Sequence, residues 1–338
     1  MTGSDVAGCS VLVTGAAGFI GFHLTKRLLA TGARVVGIDN MNSYYDVALK
    51  VARLRSLLNS AAFRFEHCDI TDHQTVRSLF ESCNPEFVVH LAAQVGVRYS
   101  LINPSAYFSS NIDGFLAILE ACRARPIRHL LYASSSSVYG ADSKVPFQES
   151  DPAVTPVSVY AATKRANELM AETYAHLFDI PMTGLRFFNV YGPWGRPDMA
   201  YSIFTKAALA GKPIDVFNNG HMRRDFTYID DVIEAVYRLL HLSPRRAAAL
   251  LGQPIERPHI IYNVGNHTPV ELLEFIATIE AAVGRKTERR YLPMQPGDVP
   301  ETFADVSRLA CVTGFAPRTP LLEGIGRFVQ WYRCYYGS

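Results

Sequence analysis

Tyr160 and Lys164 stand four residues apart in Val159-Tyr160-Ala161-Ala162-Thr163-Lys164, at the start of a helix-like stretch. Residues i and i+4 share one helix face, so a phenol and an ammonium spaced this way can serve one reacting centre. A nearby cation favours phenolate and pulls a phenol with an ordinary pKa of about 10 toward neutrality, which makes it a general base. Upstream, Ser134-Ser135-Ser136-Ser137-Val138-Tyr139-Gly140 lies just past a strand-like run. Ligands collect at such strand ends in open α/β sheets. Taken alone, a serine cluster reads equally well as a polar loop.

Gly15-Ala16-Ala17-Gly18-Phe19-Ile20-Gly21 directly follows the first strand-like run and opens the first helix-like stretch. Glycines there permit a tight turn and let backbone N–H groups approach a pyrophosphate at a helix N-terminus. The spacing is GxxGxxG rather than GxGxxG, and a strand–helix turn that binds nothing can carry the same residues. Asp39 separates the two readings, because it ends the second strand at the position where an acidic side chain accepts hydrogen bonds from an adenosine ribose diol. A carboxylate there repels a 2′-phosphate, and no Arg directly follows it, so the sequence predicts NAD rather than NADP. Asp69-Ile70, ending the third strand, reads either as an adenine contact or as the N-cap of the next helix.

These groups need a scaffold, and the chain supplies one. Ser10–Thr14, Arg34–Ile38, Phe63–Phe65, Phe87–His90, Leu130–Ala133 and Met182–Arg186 read as buried strands, with helical candidates at about 19–31, 46–60, 73–82, 105–124 and 158–178. The alternation predicts right-handed βαβ units and an α/β fold with a Rossmann-type, doubly wound parallel sheet. Beyond the sixth strand the rhythm loosens, consistent with a smaller C-terminal α/β substrate domain. The expected division is 1–188 for the nucleotide domain, with a return segment near 226–264, and 189–338 mainly for the substrate. The stretch from Ser243 to Pro258, with three prolines and an Ala run, reads as a surface insertion without chemistry.

Composition narrows the possible partners. Of 338 residues, 49% are hydrophobic and 19% charged, ample material for a core, and 33 Lys+Arg against 31 Asp+Glu leave a charge of +2. The near-neutral balance argues against nucleic acid, since Arg223-Arg224, Arg245-Arg246 and Arg289-Arg290 are too short to make a basic surface. No apolar run reaches the ~18 residues of a spanning helix, and the first residues lack the basic start of a signal peptide. Six scattered cysteines form no CxxC or Cys/His cluster, so reduced thiols and no metal are expected in a cytoplasmic protein.

Together, Gly15–Gly21, Asp39, His90-Leu91-Ala92-Ala93, the serine loop, Tyr160 with Lys164, and Arg224-Asp225-Phe226-Thr227 resemble the extended short-chain dehydrogenases/reductases of the nucleotide-sugar epimerase group, over nearly the whole chain. Asp39-Asn40-Met41-Asn42-Ser43-Tyr44-Tyr45-Asp46, Ala93-Gln94-Val95-Gly96-Val97-Arg98-Tyr99-Ser100 and Gly192-Pro193-Trp194-Gly195-Arg196-Pro197-Asp198 resemble, more narrowly, the branch of UDP-glucuronate 4-epimerases. The resemblance implies a catalytic set of Ser135, Tyr160 and Lys164. It implies an NAD site made by Gly15, Gly18, Phe19, Ile20, Gly21, Asp39, Asn40, Asp69, Ile70, Leu91, Ala92 and Ala93, joined by Tyr160 and Lys164. Related 4,6-dehydratases carry an Asp-Glu pair after the catalytic hydroxyl, and family decarboxylases a Glu at the second position. Here Ser136 and Ser137 stand there, which disfavours both chemistries.

For the substrate, the resemblance implies contacts from Arg98, Ser135, Ser136, Ser137, Asn189, Arg196, Arg224 and Asp298. Arg196 offers a planar fork to a sugar carboxylate, Arg224 matches a pyrophosphate contact, and Asp298 a ribose contact. Arg196 also reads as a solvated loop arginine, and Asn189 as a strand-end turn residue. Where family members acting on UDP-galactose carry an Arg, this sequence has Gln295. The implied activity interconverts UDP-glucuronate and UDP-galacturonate through a 4-keto intermediate that turns and is re-reduced. A neutral UDP-hexose 4-epimerase and a UDP-glucuronate decarboxylase are the alternatives within enzymes, and an NAD-sensing protein without chemistry is the alternative outside them. A homodimer, paired through the helices at 105–124 and 158–178, is the expected assembly.

Overall fold

The computed structural model describes residues 7–141, 144–295 and 297–337. Six strands come first: β1 (Ser10–Thr14), β2 (Arg34–Asp39), β3 (Phe63–His67), β4 (Phe87–His90), β5 (His129–Ser135) and β6 (Met182–Phe187). Six more follow: β7 (Asn189–Tyr191), β8 (Ile214–Val216), β9 (Arg223–Tyr228), β10 (His259–Val264), β11 (Pro269–Glu271) and β12 (Arg289–Tyr291). β10 returns to the first six, giving a parallel sheet of seven strands in the order β10-β6-β5-β4-β1-β2-β3. This is the doubly wound α/β sheet that the alternation predicts.

β4 and β6 are buried along their whole length, and β1 nearly so, as strands covered on both faces must be. Their side chains alternate between two cores. Val11 and Val13 pack with the helices Phe19–Ala30 and Ile229–Leu240, whereas Leu12 packs with His73–Cys83, Gly114–Ala124 and Val159–Phe178. The strand order reverses between β1 and β4, whose last residues Thr14 and His90 are register partners. Thr14 Oγ1 lies 2.9 Å from His90 Nδ1 and accepts from the backbone N–H groups of Leu91 and Ala92, pinning the chain as it leaves β4. A crevice at such a switch point is where open α/β sheets bind ligands.

After β6 the chain builds a second group of elements over this end of the sheet. β7, β9 and β11 form a three-stranded sheet and β8 with β12 a parallel pair. The helices Ala200–Ala210, Leu272–Val283 and Leu321–Tyr336 pack against them, with Phe226 and Phe275 stacked at 3.9 Å between ring centroids. Asp225 knits this group together. Its buried carboxylate accepts from the backbone N–H groups of Asn266, His267 and Ala304, satisfying a charge that burial alone would penalise.

Two segments differ from their sequence expectation. The single helix expected over 105–124 is instead a turn at Pro104–Tyr107, a π-helical turn at Phe108–Asp113 and the α-helix Gly114–Ala124. The widened turn aims Asn111 inward, where its amide bonds the backbone N–H and C=O of Gln94 and the hydroxyl of Thr163. The stretch 243–258 is not merely a surface insertion. Ser243 caps a helix, Pro244–Leu250, whose Ala247 and Ala248 are buried. Small side chains let that helix lie close against its neighbours, which accounts for the Ala run.

Candidate active site

One cavity of about 390 Å³ lies beyond the carboxyl ends of the central strands, between the sheet and the second group of elements. Its first wall is the turn after β1. Gly15 has φ +71°, and a Cβ there would meet the backbone N of Ala92 at 2.8 Å. A Cβ on Gly18 would meet the Gly15 carbonyl oxygen at 2.9 Å, and one on Gly21 the same oxygen at 2.1 Å. Only glycines allow this fold of the chain, which brings Gly15, Gly18, Phe19, Ile20 and Gly21 to the cavity surface. The first N–H groups of a helix have no intrahelical acceptor, so the start of Phe19–Ala30 suits a diphosphate.

Asp39 ends β2 in the same wall, 7% exposed, and accepts from the backbone N–H of Met41 at 2.8 Å. Lys50, in the helix Val47–Leu57, lies 3.5 Å from the Asp39 carboxylate, and its burial lowers its pKa against the pull of Asp39. Asn40, Ile70, Leu91, Ala92 and Ala93 complete this half. A glycine cradle that excludes side chains, a helix start and a buried carboxylate fit a dinucleotide. Asp69 does not line the cavity, although Cys68 and Ile70 beside it do. Its carboxylate instead accepts from Asn40 Nδ2 and from Thr71, and the N-cap of the next helix is Asp72.

Ser135, Tyr160 and Lys164 lie at the end of β5 and the start of the helix Val159–Phe178. Ser158 caps that helix by accepting from Ala161 N at 3.1 Å, which sets Tyr160 in its first turn and Lys164 one turn on. Ser135 Oγ donates to Ser137 Oγ and accepts from Ser137 N, each at 3.2 Å, and its hydroxyl lies near enough to the Tyr160 phenol to favour phenolate. Behind the serine loop, Glu168 accepts from Ser134 at 2.6 Å and pairs with the buried Arg186 at 2.8 Å, so the loop rests on a paired, hydrogen-bonded foundation. Burial raises the Tyr160 pKa, opposed by the nearby Ser135 hydroxyl and the Arg196 charge. In this structure Lys164 donates to the Ala133 carbonyl at 2.9 Å, and the Arg196 charge favours the phenolate form of Tyr160.

Ser135, Ser136, Ser137, Asn189, Arg196, Arg224 and Asp298 share the cavity wall with Tyr160 and Lys164. Arg224 donates to the carbonyls of Val299 at 2.7 Å and Pro300 at 3.0 Å, so the strand carrying it is tied to the segment carrying Asp298. Arg98 is outside the wall; it pairs with Asp298 at 3.3 Å and lies over the Phe217 ring. Gln295 is also outside it, which leaves Arg196 and Arg224 as the lining arginines among the described residues. Sequence reasoning missed Lys50, Tyr201 and Thr302, all cavity residues, and the Asp198 that pairs with Arg196. No residue type or spacing marks them, because each reaches the site only through the tertiary fold. Among the described residues no cluster of side chains suits a metal ion, and no helix is long and apolar enough to cross a membrane.

A glycine-cradled dinucleotide crevice with Ser, Tyr and Lys at its far end defines a class, and the family models agree: residues 11–265 match the NAD dependent epimerase/dehydratase family. The chain belongs to that family. Within it, the chain is 49% identical to the probable UDP-glucuronate 4-epimerase of Rhizobium meliloti, over 95% of this chain and 96% of the relative. It is 44% identical to UDP-glucuronate 4-epimerase 4 of Arabidopsis thaliana, over 98% of this chain and 77% of that protein. The crystal structure of UDP-glucuronic acid 4-epimerase from Bacillus cereus, in complex with UDP-glucuronic acid and NAD, superposes with a TM-score of 0.88 at 33% identity, over 97% of this chain and 100% of that one.

Proposed function

We propose that the chain is an NAD-dependent UDP-glucuronate 4-epimerase, interconverting UDP-glucuronate and UDP-galacturonate. The observation that carries this reading is a single cavity in which Tyr160, Ser135 and Lys164 meet Arg196, with the hydroxyls of Ser136 and Ser137 where dehydration or decarboxylation would call for carboxylates. NAD, held by the glycine turn, Asp39 and Lys164, would supply the redox chemistry, taking up the hydride of sugar C4 and giving it back on the opposite face, and would be regenerated in each turnover. Tyr160 takes the 4-OH proton as the hydride leaves and gives it back on reduction. Ser135 hydrogen-bonds the phenol and the 4-oxygen, and Lys164 holds the cofactor beside them. Between the two half-reactions the 4-keto sugar turns while the UDP portion stays anchored by Arg224, Asp298 and Asn189.

Glucuronate adds a hazard, since its 4-keto form is a β-keto acid. Such an acid loses CO₂ when the bond to the carboxylate aligns with the carbonyl π system. Arg196, with Ser136 and Ser137, holds the carboxylate away from that alignment. In this reading residues up to 188, with the return near 226–264, bind NAD, and 189–338 mainly bind the UDP-sugar. The enzyme works in the cytoplasm as a homodimer. The exposed apolar side chains Ile102, Phe108, Leu169 and Leu177, on and beside the segments expected to pair, support the dimer, and sedimentation of the purified protein tests it.

The direct test is incubation with UDP-glucuronate, without added NAD, and identification of the products. UDP-galacturonate as the sole product is the expected result. A UDP-pentose would redirect the reading to a decarboxylase, and net NADH to a dehydrogenase. Turnover of UDP-glucose alone would redirect it to a neutral-sugar epimerase.

A further inference from the structure

We propose that Asp198 is a positioning residue for the carboxylate clamp, pairing side-on with Arg196 so that the other edge of the guanidinium is presented to the sugar. The proposal rests on the reading of the site as a UDP-glucuronate 4-epimerase. Arg196 Nε donates to Asp198 Oδ1 at 3.0 Å and Nη2 donates to Oδ2 at 2.5 Å. A guanidinium carries five N–H groups in one plane. This bidentate pair engages the Nε/Nη2 edge and leaves the Nη1/Nη2 end to a second anion. Arg196 lines the cavity and Asp198 does not, so the acid stands behind the arginine as a ligand would see it.

The pair is itself held on both sides. The Arg196 backbone N–H donates to Tyr201 Oη at 3.0 Å, and Ser202 Oγ donates to the Arg196 carbonyl at 2.9 Å. Tyr44 Oη donates to Asp198 Oδ2 at 3.2 Å, and burial with the Asp198 charge pushes the Tyr44 pKa up to about 12, so the phenol remains a donor. Tyr44 fits because residue 96 is glycine: a Cβ there would lie 2.4 Å from Tyr44 Oη, and Gly96 has φ +97°. Tyr44, Asp198 and Arg196 thus form a relay from the loop after β2, next to Asp39, to the loop that faces the sugar.

Asp198 acts on a substrate carboxylate in two opposite ways. As a like charge behind Arg196 it weakens anion binding; as an orienter it strengthens binding and decides the angle at which the carboxylate is held. The angle matters in this reaction, because a keto acid whose carboxylate swings into alignment loses CO₂. The two effects predict opposite signs in one variant, which makes them separable.

Asp198→Asn keeps the shape, removes the charge and leaves one acceptor oxygen where there were two. If Asp198 orients Arg196, the KM for UDP-glucuronate rises roughly tenfold, the loss of one charge-assisted hydrogen bond. A UDP-pentose then appears among the products, while affinity for UDP, measured by calorimetry, stays at the wild-type value. Asp198→Glu recovers part of the loss, and Tyr44→Phe gives a smaller shift of the same sign in a variant whose fold depends on the hydroxyl least. A KM that falls or stays level in Asp198→Asn, with no pentose, overturns the proposal and leaves Asp198 a counter-charge. Wild-type controls separate this from the site reading. Tighter binding of UDP-glucuronate than of UDP, without epimerisation, sinks only the reaction, and the calorimetric effect of Asp198→Asn then decides the positioning role. No preference for UDP-glucuronate over UDP sinks both.

Discussion

Lys164 donates from its ammonium to the backbone carbonyl of Ala133 at 2.9 Å, two residues before Ser135 in the strand that ends at that serine. The side chain is 2% exposed, and burial lowers its pKa to about 8. An unfolded lysine releases its proton near 10.4, so between about 8 and 10.4 the unfolded chain binds more protons and stability rises with pH. Below that window the buried charge costs its full amount. Lys164→Met therefore gives a protein more stable than the wild type at pH 7, by on the order of 1–2 kcal/mol after the lost hydrogen bond is counted, and much less active. The gain shrinks as the pH is raised through the window, because the folded wild type then sheds the proton. Paired thermal melts at neutral and alkaline pH measure it, and a variant that melts below the wild type at pH 7 refutes the account.

The phenol of Tyr160 titrates in the opposite sense. Burial raises its pKa, and the nearby Ser135 hydroxyl and the Arg196 charge work against that rise. Phenolate is the basic form, so kcat climbs with pH, about tenfold per unit while the pH is below the operative pKa. Removing the Arg196 charge takes away a stabiliser of phenolate. Arg196→Ala therefore moves the acid limb of the profile to higher pH, in addition to weakening UDP-glucuronate binding. Tyr160→Phe lowers kcat by about 10²–10⁴ and abolishes the limb. Unchanged turnover of UDP-glucuronate in Arg196→Ala would end the assignment of that residue.

The βα units were legible because buried parallel strands are continuous β-branched runs, and Val11-Leu12-Val13 shows its two-sided burial directly in its residue types. That Asp39, the glycine turn and the pair Tyr160/Lys164 come to one cavity was legible because their placement depends on local spacing along one element. The π-helical turn at Phe108–Asp113 was not, since its cause is tertiary: Asn111 gains partners on Gln94 and Thr163, which no helical periodicity encodes. Tyr44 and Asp198 meet across 154 residues, and Lys50 reaches Asp39, at the end of β2, from the helix that follows it. Spacing rules are silent at such separations. Arg98, beside cavity residues in sequence, stays out of the wall and pairs with Asp298 and Phe217, for the same reason in reverse.

Arg53 ties the glycine turn to the loops that carry Tyr45 and Trp194. It is fully buried in the helix Val47–Leu57, donating from Nη1 to the Ala17 carbonyl at 2.8 Å and Tyr45 Oη at 2.7 Å, and from Nη2 to the Trp194 carbonyl at 2.5 Å. All three acceptors are neutral, and burying a cation on neutral acceptors is costly. What the cost secures is registry between the elements: Ala17 lies in the glycine turn, Tyr45 follows Asp39, and Trp194 precedes Arg196 by two residues. Trp194 is wedged there with φ +63°, its ring against Phe22, Trp331 and Tyr335. Arg53→Met keeps the volume of the stem but strands three acceptors in a dry interior, a loss of about 2–4 kcal/mol. Affinity for NAD and for UDP-glucuronate should fall together in this variant, since both loops lose one shared tie. Arg53→Lys restores little, because a point charge cannot reach acceptors that diverge as these do. Urea unfolding and calorimetry on the three proteins read both effects. If the Met variant is destabilised while both affinities stay at wild-type values, aromatic packing around Trp194 sets the loops by itself, and Arg53 has only a structural role.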